Sequence, residues 1–295
     1  MEQYKITDGT VTVTVNSKGA EVASAVRDGK EYMWNADPKF WGRTAPVLFP
    51  VVGSFKNKEY RYDGNTYKMG QHGFARDMEF ELVSHDGDSL VMSLRDNEET
   101  FKVYPFHFEL IISYSVYGGM LTVDWTVIND GIDDMYFSVG GHPAFMCPVG
   151  GGSLAKDYSL KIMKGGKPVE KLVSTPLTGE GTASADKHNE YELKDGVLPV
   201  STELFADDAL VIENAQTDSI SLLDSEGYDY LTVDFKTPLV GLWTPAGKDA
   251  PFVCIEPWYG RCDRENFDGE LKDREWGNML EPGEKFNGGF TVKFR

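Results

Sequence analysis

Two ionisable residues stand out for the company they keep. Glu256 lies in "FVCIEPWYG" (252–260), a carboxylate set among Phe, Cys, Ile, Pro and Trp. Glutamate is seldom buried without a partner. Apolar neighbours that strip its water raise its pKa above the ~4.3 of a free side chain and make it a better proton acceptor near neutrality. His142 lies in "VGGHPAFMCPVGGG" (139–152), between a glycine pair and a proline. The glycines let the backbone approach a ligand closely, and Pro143 stiffens the chain just beyond the imidazole. An imidazole with a reference pKa of ~6.5 gives or takes a proton at cellular pH. One basic carboxylate and one imidazole suit concerted acid-base work on a hydroxyl and an ether oxygen. The competing explanation is plainer: an outward-pointing residue at a strand end, and a histidine satisfied within a turn.

Other stretches carry polar groups that a plain sheet does not need. "FWGRTAPVLFPVVG" (40–53) holds Arg43, and "GQHGFARDMEF" (70–80) holds Gln71, His72 and Arg76. His85, His107 and His188 sit in turn-like, strand or polar contexts and read as structural or solvated. Trp41, Phe74, Trp243 and Trp258 neighbour the polar candidates; sugar-binding sites often use such rings, although filling a core is their commoner use. A zinc site from His142, Cys147 and Cys254 would compete, but no CxxC or HExxH spacing supports it, so no metal or other cofactor is expected. No GxSxG marks a serine hydrolase, and "VGGGS" is no dinucleotide fingerprint.

Strands must position these groups. "TVTVTV" (10–15) alternates strictly, and hairpin turns are expected at Asp28-Gly29, Asp63-Gly64-Asn65, Asp86-Gly87-Asp88 and Gly118-Gly119. Helical periodicity is nearly absent; its best candidate is a short segment at "DKHNEYEL". Long strands joined by short polar turns predict an all-β, mainly antiparallel protein with few short helices. No linker divides the 295 residues, so one domain over 1–295 is expected, with the polar segment Lys156 to Asp195 as a surface excursion.

The formal net charge of -18 repels phosphate backbones and anionic lipid, which argues against nucleic-acid and membrane partners. No secretory signal is visible at the N-terminus, and no run approaches the ~18 apolar residues of a membrane helix. Three cysteines cannot all pair within one chain, so a cytoplasmic setting is expected. Oligomeric state, a homodimer included, is left open.

Taken together, "WGRTAPVLFP", "QHGFAR", "GGHPAF" and "CIEPWYG", in this order over nearly the whole chain, resemble the aldose 1-epimerase (galactose mutarotase-like) superfamily. "LFADDALVI", "YPFHFEL" and "LEPGEKF" fit its LacX-like branch. The resemblance implies a β-supersandwich that interconverts the α and β anomers of a hexose without a cofactor. It implies Glu256 as the general base at the anomeric hydroxyl and His142 as the acid at the ring oxygen. It further implies sugar-binding roles for His72 and for Asp208, with Asp207 beside it as the alternative register. Arg43, Gln71 and Arg76 match substrate-binding positions of the hexose-6-phosphate 1-epimerase branch. Galactose mutarotases carry an arginine in a "GR" pair where this chain has Gly53-Ser54. The two arginines would serve either a phosphate or ion pairs with Asp208 and Glu256. A hexose-6-phosphate 1-epimerase and a non-catalytic sugar binder are therefore the alternatives.

Overall fold

Alternation of apolar and polar residues, punctuated by glycine turns, builds most of the chain. The computed structural model describes residues 1–152 and 157–295. Phe108–Tyr117 and Met120–Asn129 each bury every second residue, as half-buried strands must. Gly118 and Gly119 join them with φ values of 60° and 76°, the left-handed pair that a tight two-residue hairpin requires. The other three hairpin turns predicted from Asp-Gly pairs also form.

Ten strands make the larger sheet. Its order runs Lys167–Pro168, Ser159–Lys164, Ser219–Leu223, Asp229–Phe235, Lys285–Phe294, Met120–Asn129, Phe108–Tyr117, Ser89–Arg95 and Glu81–His85, with Val197–Pro199 joining Ser159–Lys164. A six-stranded sheet faces it, in the order Leu210–Ile212, Leu239–Trp243, Phe252–Tyr259, Val139–Gly141 and Val47–Leu48; Ala144–Met146 also pairs with Phe252–Tyr259. A four-stranded N-terminal sheet covers Gln3–Glu31. The strand pairing is antiparallel throughout these sheets. Trp125 and Phe290 of the large sheet pack beneath Gly141 of the smaller one, where a Cβ would stand 3.1 Å from the Phe290 ring. The core continues through Phe49, Phe108 and Phe137.

Two expectations are corrected. "DKHNEYEL" is no helix: Asn189–Glu192 is a strand paired with Lys171–Ser174, because a neighbouring strand offers its backbone more hydrogen bonds than a lone turn would. Among the described residues the α-helix is instead Glu98–Val103, started by Asn97, whose side chain accepts from the Glu99 and Thr100 amides while the Thr100 hydroxyl accepts from the Asn97 amide. Nor is the polar segment up to Asp195 a mere excursion, since Ser159–Lys164 is an interior strand of the ten-stranded sheet with Leu160 and Ile162 fully buried. Lys156, its expected start, lies outside the described residues.

Candidate active site

The smaller sheet sets His142 opposite Glu256. Val139–Gly141 pairs with Phe252–Tyr259 so that Gly140 faces Trp258, and Ala144 resumes the same register against Cys254. Between these two paired stretches the register carries His142 across from Glu256. Pro143 cannot donate to the ladder, yet its carbonyl still accepts from the Ile255 amide. The His142 amide donates to Pro46 on the opposite flank. The outcome is 3.3 Å between His142 Nε2 and Glu256 Oε2.

Both groups are dry. Glu256 is 1% exposed and His142 8%. Neither carboxylate oxygen of Glu256, nor His142 Nδ1, nor Trp258 Nε1 has a hydrogen-bond partner of full geometry. Polar atoms this buried are normally paired, so the cluster is short of partners that a ligand's hydroxyls would supply. Burial, seconded by the negative charge of Asp208, holds the Glu256 carboxyl well above the ordinary carboxylate range; the nearby Trp258 indole opposes them weakly. Burial also pushes the His142 imidazole down to about 3, with Arg76 and Arg43 acting in the same sense. Both shifts favour the uncharged forms, a protonated carboxyl beside a neutral imidazole.

Aromatic rings fix the imidazole. Trp41 stacks on His142 with centroids 4.7 Å apart and planes at 28°, and Trp243 meets it edge-on at 5.5 Å. Trp41 therefore braces the histidine as well as lining the cleft. Phe74 does neither; it packs against Phe49, Tyr104 and Phe108 in the core.

The predicted polar residues converge on one cleft. Gln71, His72, Arg76, His142, Asp208 and Glu256 line it together with Trp41, Trp243 and Trp258. Its cavity volume is about 240 Å³, just under the ~300–1,000 Å³ usual for small-molecule sites. His72 adopts φ 65° and is doubly tied to Gly53: its amide donates to the Gly53 carbonyl, and the Gly53 amide donates to His72 Nδ1. With Nδ1 accepting, the neutral ring carries its proton on Nε2. Burial holds the ring neutral, driving its pKa well below the usual value. Asp208 lines the cleft and Asp207 does not.

Arg43 stands apart from the cleft lining, in an ion pair of 2.8 Å with Asp77. Arg76 donates from Nη2 to the Gln71 carbonyl at 2.6 Å. Neither arginine pairs with Asp208 or Glu256: the fold brings Asp77 to Arg43 and the Gln71 carbonyl to Arg76 instead. Arg261, which also lines the cleft, is absent from the motifs that mark the other site residues. It is 1% exposed, bonded to Glu213 at 2.7 Å and to Glu275, while Trp276 donates to the same Glu213. A charged residue directly after an apolar strand, in "PWYGRCDRE", is the available sign. His85 and His107 are engaged elsewhere, with the Lys5 carbonyl and with Asp96.

The fold agrees with comparison to known proteins. The family model for aldose 1-epimerase matches residues 2–293, and the chain belongs to that family. It is 32% identical over 260 residues to the chromosomal LacX protein of Lactococcus lactis subsp. lactis, covering 85% of each chain. Among solved structures, a galactose mutarotase related enzyme from Lactobacillus acidophilus matches with TM-score 0.92 and 37% identity, over 100% of this chain and 97% of that one. A galactose mutarotase-like protein from Lactobacillus casei matches with TM-score 0.90 and 28% identity over the full length of both.

Proposed function

We propose that this protein is an aldose 1-epimerase that interconverts the α and β anomers of a hexose, with Glu256 as base and His142 as acid. What carries the reading is the 3.3 Å approach of Nε2 to Oε2 at the floor of a cleft walled by tryptophans. The pair's single proton moves across that gap from carboxyl to imidazole to give the reactive form. Glu256 then takes the proton of the anomeric hydroxyl as His142 protonates the ring oxygen and the C1–O5 bond opens. The open form leaves a protonated carboxyl and a neutral imidazole, the distribution that burial favours. Rotation about C1–C2 and reversal of the proton transfers close the ring on the other face. In this reading His72 Nε2–H and Asp208 hold sugar hydroxyls.

A phosphorylated hexose is the second reading. Arg76 lines the cleft, and its Nε is buried without a hydrogen bond, leaving donor capacity for an anion.

Polarimetry or exchange NMR on α-glucose, α-galactose and their 6-phosphates tests both readings. Equilibration above the buffer rate is expected, and Glu256→Gln or His142→Asn should lower it about 10²–10⁴-fold, the scale of a lost proton-transfer group. No acceleration with any of the four sugars would remove the proposal.

A further inference from the structure

Beneath the acid-base pair lies a thiol that the proposed reaction does not use. Cys254 precedes Glu256 by two residues on the same strand, so both side chains leave the same face. Cys254 is fully buried and in no disulfide. One ligand atom from each of His142, Cys254 and Glu256 lies within 4.8 Å of the other two. A tetrahedral zinc ion, with bonds of ~2.0–2.3 Å, spaces its ligands about 3.4–3.7 Å apart. His142 and Glu256 already stand at 3.3 Å, so a shift of about 1 Å at the sulfur completes three corners. The unpartnered oxygens of Glu256 give an independent reason for a cation to settle there.

We propose that His142, Cys254 and Glu256 form a binding site for a thiophilic divalent cation such as Zn²⁺, whose occupancy blocks epimerisation. The inference rests on the acid-base reading of the same pair. One nitrogen, one sulfur and one oxygen suit zinc and cobalt better than magnesium or calcium, which take oxygen ligands. The fourth position faces the cleft. Binding balances as one M²⁺ in and two protons out: one leaves the Cys254 thiol, and one leaves the pair. The ion then holds both the nitrogen and the carboxylate that the sugar needs, so metal and sugar compete.

Co²⁺ titration of the whole chain reads the site without reference to activity. A thiolate-to-cobalt charge-transfer band with tetrahedral ligand-field bands is expected. Sugar should suppress it, and Cys262→Ala, which alters another thiol at the cleft, should leave it unchanged. Cys254→Ala should abolish the band and weaken Zn²⁺ inhibition by at least the ~10–100-fold typical for loss of an outer-shell partner, while epimerisation without metal continues. Glu256→Gln, nearly isosteric, should weaken Co²⁺ binding too and guards against a folding defect at Cys254; thermal melts of both variants are run alongside. Absence of the band, or its persistence in Cys254→Ala, overturns the inference. Epimerisation without a band sinks the metal site alone; a band without epimerisation of any sugar sinks the acid-base reading alone.

Discussion

The indole of Trp258 lies over Gly241, in space that a side chain there would fill. Gly241 pairs with Glu256 in register, and a Cβ on it would stand 2.4 Å from the Trp258 ring. Gly140, on the opposite neighbouring strand, is as close, at 2.6 Å. Two glycines thus seat the ring that walls the His142–Glu256 pair. Gly241→Ala should push the indole toward the cleft and lower kcat/KM about 10²-fold, the cost of a misplacement near 1 Å. Far-ultraviolet circular dichroism should be unchanged. Wild-type kcat/KM in this variant would show that the seating is unimportant.

The pH profile should be broad. Activity needs one proton on the pair, and its apparent pKa values belong to the pair as a whole. Adding a second proton means charging His142, whose pKa is lowered to about 3. Removing the only one means ionising Glu256, held well above its ordinary value. The kcat/KM plateau should therefore extend on both sides of the ~4.3–6.5 window that unperturbed side chains would give. A limb at either of those two reference values, measured by polarimetry, would contradict the geometry.

Stability should respond to the same burial. The native state holds the Glu256 proton more tightly than the unfolded chain, so the carboxyl's contribution is intact below the ordinary glutamate pKa and is lost as pH rises through the raised native value. Glu256→Gln removes that loss. The difference in Tm between variant and wild type should move in the variant's favour from about pH 5 to about pH 8, even as activity falls. A constant difference would mean that Glu256 ionises normally.

His142 supplies the opposite slope. Between the ordinary imidazole pKa and about 3 the unfolded chain binds a proton that the native ring refuses, so stability falls as pH falls. His142→Asn should flatten denaturant-derived stability over that range by up to ~1.4 kcal/mol per pH unit. An unchanged slope would place the charge on the native imidazole.

Arg261 holds the cleft wall through Glu213 and Glu275. Arg261→Ala leaves the Glu213 carboxylate, 6% exposed, without its closest cation. A loss of about 3–5 kcal/mol in urea unfolding is expected, the usual result of breaking a buried pair. A loss below ~1 kcal/mol would mean that Arg264, 3.8 Å from Glu213, takes over.

Turn chemistry and apolar alternation are local, and both are readable: the Asp-Gly and Gly-Gly hairpins stand where the letters put them. The helix at Glu98–Val103 escapes a sequence reading although Asn97 and Thr100 spell its start, because six residues show no periodicity. Strand Asn189–Glu192 is illegible in isolation because only its partner, Lys171–Ser174, makes it a strand. Residue type and motif locate the cleft residues but not the partners of Arg43 and Arg76, since ion pairs depend on which side chains the fold brings within reach. No described helix is long and apolar enough to cross a membrane.

The acid-base spacing comes from the ladder itself. His142 and Glu256 sit on adjoining chains of one sheet, at a separation dictated by main-chain hydrogen bonding, whereas Gln71, His72, Arg76 and Asp208 arrive on connecting segments outside it. Substitutions on those segments leave the main-chain spacing of the pair intact, yet Asp208 and Arg76 still bear on its protons, so a change of lining there also shifts the charge balance at the pair.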